Sequence, residues 1–138
     1  MADFNKVGLL VVRDNSFLVC RKNNYTSRLI MPGGQYELGE SALQCLEREV
    51  NEELGDVSLE NARYLGTYLD KAASDDANEN KTVEIQLYRA ELKGTPTPSS
   101  EVVELLWFNS ASDKNELSAI IANKILPDLI ARGELLWS

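Results

Sequence analysis

Glutamates crowd one short segment of the 138-residue chain, GGQYELGESALQCLEREVNEELG, which runs from Gly33 to Gly55. The segment holds six glutamates and one arginine, with no aspartate and no histidine. Like charges at helical spacing repel each other and destabilise a helix. The carboxylates therefore either form a solvated surface or bind something positive. Mg2+ and Mn2+, which prefer oxygen ligands, are the cations that such a cluster would select.

A helix is predicted over Ser41 to Leu54. The run from Ser41 to Gln44 fits a capping box, and Gly55 stands where a helix C-terminal glycine belongs. Apolar residues recur at helical spacing and are expected to face the core: Leu43, Leu46, Val50 and Leu54.

Three glutamates share one face of this predicted helix. Glu49, Glu52 and Glu53 fall within an arc of about 100°, and their spacing makes them surface neighbours. They also lie near the helix C-terminus, where the macrodipole disfavours negative charge. Two local rules broken together tend to mark a functional site, although a Glu–Glu pair alone is more often solvated surface. Arg48, four residues before Glu52, can hold a carboxylate in a fixed orientation.

The composition excludes several kinds of chemistry. Without histidine, the chain cannot use Ser-His-Asp or Cys-His catalysis or His-ligated zinc, so the general base must be a carboxylate or, less commonly, Lys, Tyr or Cys. The formal net charge of −8 disfavours binding to a nucleic-acid polymer. It still allows a small phosphorylated ligand, because divalent cations bridge carboxylates and phosphates.

The chain is expected to be a cytoplasmic protein without a membrane segment. No apolar run approaches the roughly 20 residues that span a bilayer, and the first residues lack the pattern of a signal peptide. Cys20 and Cys45 lie in apolar surroundings without a CxxC pattern, which indicates buried, reduced thiols.

The elements that must position the carboxylates are strands and a second helix. A hairpin is predicted around Asp14-Asn15-Ser16, and a short strand, LIMPGG, is expected to end at Pro32 and its two glycines. Later strands are predicted over Ala62–Leu69, Thr82–Leu92 and Val102–Phe108, with a polar loop over Asp70–Lys81 and a last helix over Glu116–Arg132. Pro127 should kink or split that helix. The order predicts one α+β domain over residues 1–138, around a mixed sheet.

At this point the chain resembles a known family. Gly34, five residues, Glu40, seven residues and then Arg48-Glu49-Val50-Asn51-Glu52-Glu53-Leu54-Gly55 is similar to the Nudix box, GX5EX7REUXEEXGU. All seven fixed positions match, and a chance match in the chain is on the order of one in a million. One position departs: the final apolar residue of the box is Asp56, with Val57 following it.

The resemblance implies a fold, an activity and roles for the box residues. The fold would be an α/β/α sandwich with a mixed β-sheet between helices. The activity would be hydrolysis of a nucleoside diphosphate linked to another group, with Mg2+ or Mn2+ as cofactor. Glu49, Glu52, Glu53 and Glu40 would be metal ligands and Arg48 would pin them, while Glu52 or Glu53 would act as the base.

Substrate contacts are less sharply predicted. Gly34 supports the turn into the helix and lets backbone approach metal or substrate. Arg21, Lys22 and Arg28 flank the loop where such proteins bind phosphates, although a solvated basic rim fits nearly as well. Glu104 and Glu101 lie in the region that supplies a further glutamate in some members. Four aromatics could stack on a base, although core packing is the more common role: Tyr25, Tyr36, Trp107 and Phe108.

Three functions remain open from the sequence. The leading interpretation is a MutT-like pyrophosphohydrolase that converts a nucleoside triphosphate to the monophosphate and pyrophosphate, as a monomer or homodimer. ADP-ribose or another nucleoside diphosphate sugar is the alternative substrate. A non-catalytic nucleotide-binding module is the third interpretation, and the retention of all the box glutamates disfavours it.

Overall fold

The computed structural model describes residues 2–23, 26–76 and 80–137. Within these ranges the strands are β1 Phe4–Leu10, β2 Val12–Arg13, β3 Ser16–Lys22, β4 Gly33–Gln35, β5 Ser58–Lys71, β6 Thr82–Lys93 and β7 Val102–Phe108. The α-helices are α1 Ala42–Leu54 and α2 Leu126–Ala131, and a 3-10 turn, Lys114–Glu116, and a π-helical turn, Ile121–Ile125, precede α2.

The strands form two sheets. The first has the order β4-β1-β6-β5, and it is mixed because β1 runs parallel to β6 but antiparallel to β4. The second has the order β2-β3-β7 and is antiparallel. The predicted mixed sheet is confirmed. The second sheet, which was not predicted separately, consists of the hairpin strands and β7.

Two apolar cores lie on opposite faces of β1. Val7 and Leu9 pack with the buried residues of α1, whereas Leu10 packs with those of the C-terminal helical segment. Because successive side chains of a strand point to opposite faces, one strand can serve both cores. The helices therefore cover the two faces of the sheet, and the predicted α+β class with a sheet between helices is confirmed.

The boundaries of α1 follow its local sequence. Ser41 accepts a hydrogen bond from the Gln44 N–H at 3.2 Å, and the Gln44 side chain accepts one from the Ser41 N–H at 2.9 Å, so the predicted capping box is confirmed. Gly55 ends the helix at φ 80°, a backbone angle that favours glycine. The prediction for Leu43 was wrong: its side chain is 40% exposed, and Cys45 is buried instead.

The first hairpin is confirmed, but the strand predicted after it was misplaced. Asp14 and Asn15 have φ of 50° and 58°, as the two-residue turn of a tight hairpin requires. Leu29 and Ile30 form only isolated bridges, and the strand consists of the glycines that were expected to end it. Those glycines pair closely with β1, which their lack of a side chain allows.

The remaining strands and the last helix differ mainly at their ends. The strand predicted over Ala62–Leu69 extends to Ser58–Lys71, and the other two were placed within one residue. The helical segment starts at residue 119 and ends at residue 131. Its regular geometry is interrupted just before Pro127, by the π-helical turn, as the missing N–H of proline predicts.

Part of the polar loop predicted over Asp70–Lys81 lies outside the described residues. In the described part of the chain, no helix is long and apolar enough to cross a bilayer. Cys20 and Cys45 are both buried and free, as predicted. Burial raises the pKa of the Cys20 thiol to about 12, so this thiol stays protonated at neutral pH.

Candidate active site

Arg48 organises the carboxylates at the exposed edge of α1. Its Nε and Nη2 donate to the two oxygens of Glu40 at 2.6 and 2.9 Å, a bidentate pair across the turn that leads into the helix. Hydrogen bonds from Arg48 and from the backbone N–H of Glu37 lower the pKa of Glu40 to about 2. Glu40 is therefore ionised at any physiological pH.

The same guanidinium also reaches the helix face and the first sheet. Its Nη1 donates to Glu49 at 2.9 Å and more weakly to Glu52 at 3.4 Å, and its Nη2 donates to the Gln35 carbonyl at 3.1 Å. Arg48 thus ties α1 to β4 while it orients two of the box glutamates. The orienting role expected for this residue matches the geometry.

Glu53 lies on the inner side of α1 and not on its solvent face. It is only 4% exposed, whereas the Glu52 side chain is 51% exposed, so the three glutamates do not form the single surface stripe predicted from their spacing. One Glu53 oxygen accepts from the Gly33 N–H at 2.9 Å, and the other lies 2.5 Å from the Lys22 ammonium. Both oxygens are therefore engaged within the protein.

The buried Lys22–Glu53 pair has opposed electrostatic contributions. Burial raises the pKa of Glu53, although the Lys22 ammonium and the Gly33 N–H favour its charged form. Burial alone would lower the pKa of Lys22, but the Glu53 carboxylate outweighs it and raises that pKa. The ammonium also donates to the Gly33 carbonyl at 3.2 Å, which fixes its position at the start of β4.

Glycine is needed at positions 33 and 34, at the start of β4, for two different reasons. Gly33 has φ of 136°, and a Cβ there would overlap the carbonyl oxygen of Val7 in β1, so the close approach of the strands requires glycine. Gly34 has an ordinary φ, but a Cβ there would lie 2.6 Å from a carboxylate oxygen of Glu49. Glycine at position 34 therefore leaves space for the Glu49 carboxylate.

The charges of this cluster suit a divalent cation. Five carboxylates (Glu37, Glu40, Glu49, Glu52 and Glu53) face two cationic side chains, Arg48 and Lys22, which leaves an excess of three negative charges. The donors are all oxygens, the ligands that Mg2+ and Mn2+ prefer. Across residues 2–23, 26–76 and 80–137, no three acidic or cysteine side chains are gathered tightly enough to hold a metal. The fit to such an ion therefore rests on the oxygen chemistry and the charge of the cluster, and its present contacts with Arg48 and Lys22 would have to exchange.

A cavity opens beside the carboxylates. Its lining includes Lys22, Gly33 and Gly34, together with residues of β1, β6 and the start of the C-terminal helical segment, but none of the box glutamates. It holds about 520 Å3 of free space when its mouth is counted, but only about 40 Å3 is wide enough to admit the centre of a water molecule. The cavity is therefore a narrow slot that meets the carboxylate cluster only through Lys22 and Gly33, the two residues that contact Glu53.

Three predicted substrate contacts lie outside this slot. Arg21 donates to Glu104 at 2.8 Å, to Glu116 at 3.1 Å and to the carbonyl of Ser27. Arg28 donates to the carbonyl of Asn115. Both arginines line an open groove near the slot, while Glu104 sits on β7 as the ion-pair partner of Arg21. The structure brings Gly34 together with the box carboxylates but places Arg21, Arg28 and Glu104 in this second group.

The four aromatic candidates lie in different surroundings. Phe108 is fully buried in the core, and Trp107 is partly buried with the Arg13 guanidinium over its ring at 5.3 Å. Tyr36 is partly buried and donates to the Gln86 side chain, whereas Tyr25 lies outside the described residues. Glu101 is exposed just before β7.

Sequence reasoning missed the inward position of Lys22. Strand alternation gave no signal for it, because Phe17, Leu18, Val19 and Cys20 are all buried and the pairing register shifts between Arg21 and Lys22. The solvated basic rim, which was the alternative to phosphate contact, does not apply to Lys22, whose side chain is only 10% exposed.

Comparison with known proteins identifies the class of this fold and site. Residues 4–129 match the NUDIX domain family model. The chain belongs to the Nudix family and is a hydrolase that acts on pyrophosphate bonds. A sequence search of curated proteins finds no significant match.

Solved structures with the same fold are distant in sequence. A NUDIX hydrolase from Nitrosomonas europaea superimposes with a TM-score of 0.74 at 20% identity, over 94% of this chain and 89% of the other. A MutT NUDIX hydrolase from Burkholderia pseudomallei gives 0.66 at 24% identity, over 83% and 85%. A bifunctional NMN adenylyltransferase/ADP ribose pyrophosphatase from Francisella tularensis gives 0.63 at 16% identity, over 93% of this chain and 40% of the other.

Proposed function

We propose that this protein is a Mg2+- or Mn2+-dependent pyrophosphohydrolase that converts a nucleoside or deoxynucleoside triphosphate to the monophosphate and pyrophosphate. The observation that carries the proposal is the cluster of five carboxylates around Arg48 and Lys22, which has three uncompensated negative charges. A triphosphate cannot approach such a cluster without a cation between them. Bound there, a divalent cation would neutralise the diphosphate and lower the pKa of a water molecule.

We assign the remaining roles of the box residues from their exposure and their contacts. Glu52 is half-exposed and only weakly held by Arg48, so we assign it the role of the base that takes a proton from the attacking water. We assign Glu40, Glu49 and Glu53 as metal ligands with Glu52, and their oxygens would have to exchange contacts with Arg48, Lys22 or Gly33 to bind the cation. Arg48 is the positioning residue. Attack by the water then breaks the phosphoanhydride bond between the α- and β-phosphates. One product takes the hydroxyl group of that water, and the other product or the solvent takes its remaining proton.

Substrate contacts follow from the placement of the cationic groups. Gly34 would let the nucleotide approach the backbone beside Glu49, and Lys22 lines the slot. Arg21 and Arg28 line the open groove with Glu104 holding Arg21, so we assign this second group to the outer part of the ligand. The substrate is a free nucleotide, and a nucleic-acid polymer is disfavoured by the net charge of −8.

ADP-ribose is the alternative substrate. It is supported by the likeness to the Francisella protein, whose name includes ADP ribose pyrophosphatase, whereas several neighbours of similar size carry the name MutT. The share of each neighbour that this chain covers favours the triphosphate. The Francisella likeness covers only 40% of a longer protein, while the MutT protein from Bacillus halodurans is covered over 82%.

A matched pair of variants tests the assignment of the base. Glu52→Gln should lower kcat by at least about 100-fold, because the amide cannot accept a proton from water. Glu47→Gln, on the exposed side of the same helix, should stay within about twofold of the wild type. Near wild-type rates for Glu52→Gln with Mg2+ would remove Glu52 from the mechanism.

A further inference from the structure

The Lys22 ammonium already compensates one carboxylate of the cluster. It lies 2.5 Å from Glu53, and the two side chains are only 10% and 5% exposed, so the contact is shielded from water. The ammonium also donates to the Gly33 carbonyl at 3.2 Å. One oxygen of Glu53, an assigned metal ligand, is therefore held by a single positive charge that the chain itself supplies.

The negative charge around Glu53 exceeds what Lys22 supplies. Besides burial and the ion pair itself, the Glu49 carboxylate raises the pKa of both Lys22 and Glu53, so its charge acts at this point. Glu49 and Glu53 are four residues apart on α1, a spacing at which like charges destabilise a helix. The ammonium brings one positive charge to this point, whereas a divalent cation brings two.

Of the two cations in the cluster, Lys22 is the one that can move away. The planar guanidinium of Arg48 donates twice to Glu40, once to Glu49 and once to the Gln35 carbonyl, so its release would break several hydrogen bonds together. The ammonium of Lys22 makes the two contacts given above and ends a flexible four-carbon chain. Displacing Lys22 therefore breaks fewer contacts than displacing Arg48.

The slot offers the displaced ammonium a hydrated place. Lys22 lines this cavity, of which about 40 Å3 admits the centre of a water molecule. One water molecule needs roughly 10–15 Å3 of such space, so the slot accommodates a compact ammonium group together with water. Rotation of the flexible side chain then carries the charge away from Glu53 and keeps it solvated.

We propose that Lys22 is a further positioning residue, whose ammonium occupies in the metal-free protein the place at Glu53 that Mg2+ or Mn2+ takes in the working enzyme. The inference rests on the proposed function, which puts a divalent cation among the box carboxylates. The ammonium holds Glu53 in position and limits repulsion between the carboxylates until the cation binds. It then exchanges into the slot, and the affinity for the cation is lowered by the free energy of the ion pair that is lost.

Removing the charge of Lys22 tests this competition. In Lys22→Met, measured without nucleotide by electron paramagnetic resonance of free Mn2+, the affinity for Mn2+ should rise at least about 10-fold, equivalent to about 1.4 kcal/mol. The melting temperature in EDTA should fall, because Glu53 is left as an unpaired buried charge. Saturating Mg2+ should raise it by more than it raises that of the wild type. Lys124→Met removes the same charge from an exposed position and should change the Mn2+ affinity by less than about threefold.

Two further measurements make the test decisive. If Lys22→Met does not melt cooperatively in EDTA, Lys22→Gln replaces it, because its neutral amide keeps a hydrogen-bond donor without the charge. The same gain in affinity is expected. Exchange of the ammonium is followed by heteronuclear NMR of the lysine ammonium groups, with the Lys22 signal assigned by its absence from the variant. Saturating Mg2+ should shift or broaden this signal, whereas an unchanged signal would show that the ammonium stays at Glu53 and would overturn the proposal.

These measurements contain no nucleotide, so they separate failure of the inference from failure of the proposed function. Tighter Mn2+ binding to Lys22→Met supports the inference even if the wild type hydrolyses no triphosphate, a result that would count against the proposed function alone. Equal or weaker Mn2+ binding to the variant overturns the inference even if hydrolysis is fast, because the ammonium then does not compete with the cation. Absence of Mn2+ binding from both proteins overturns it as well.

Discussion

Replacing Glu53 by glutamine should destabilise the fold, whereas the same change at Glu52 should not. In Glu53→Gln, the Lys22 ammonium loses the carboxylate that lies 2.5 Å away. Breaking a buried ion pair on one side costs about 3–5 kcal/mol. The amide still accepts from the Gly33 N–H, which retains about 1 kcal/mol. The net cost is therefore about 2–4 kcal/mol.

Urea unfolding followed by circular dichroism in EDTA measures this difference directly. With a slope of about 2 kcal/mol per molar urea, the midpoint of Glu53→Gln should fall by about 1–2 M. Glu52→Gln is the matched control, because its half-exposed side chain makes one weak contact with Arg48 and should shift stability by less than about 0.5 kcal/mol.

A second substitution tests the stated cause. Adding Lys22→Met to Glu53→Gln removes the unpaired ammonium and should recover part of the lost stability, because no uncompensated charge is then left buried. Equal urea midpoints for Glu53→Gln and Glu52→Gln would refute the reasoning. So would a double variant that is less stable than Glu53→Gln.

Two further predictions concern the glycines and the C-terminus. Gly33→Ala should unfold or strongly destabilise the protein, because its Cβ overlaps the backbone of β1. Gly34→Ala should melt near the wild type but lose at least about 10-fold in kcat/KM, because its Cβ displaces Glu49. Equal melting temperatures of the two variants by differential scanning fluorimetry would contradict this contrast. Partial burial opposes ionisation of Glu134, yet hydrogen bonds from Arg89 and Arg63 hold its pKa below the ordinary value. Its stabilisation is therefore present above pH of about 4.5 and lost as the pH falls through the lowered pKa. The melting temperature of Glu134→Gln should lie below that of wild type at pH 7 and converge with it in acid; a constant gap would argue against the ion pairs.

The sequence predicted those parts of the structure that depend on local rules. The capping box at Ser41, the helix end at Gly55 and the hairpin turn at Asp14 each follow from a few adjacent residues, and all three were confirmed. The misplaced strand shows the limit of such rules. Gly33 and Gly34 are typical turn residues, but β1 lies against them and makes them a strand.

The interior of the candidate site depends on contacts between distant residues, and helical spacing could not supply them. Spacing alone placed Glu53 beside Glu52 on the surface, yet Lys22 and Gly33 cover it from β3 and β4.

Product analysis with Mg2+ tests the central claim most directly. The purified chain is incubated with nucleoside triphosphates (including oxidised ones), ADP-ribose, sugar nucleotides and dinucleoside polyphosphates, with EDTA as control, and the products are resolved by phosphorus NMR. We expect a triphosphate to give the monophosphate and pyrophosphate with Mg2+ and nothing with EDTA. Release of orthophosphate from the triphosphate, or binding of nucleotides without any turnover, would contradict the account.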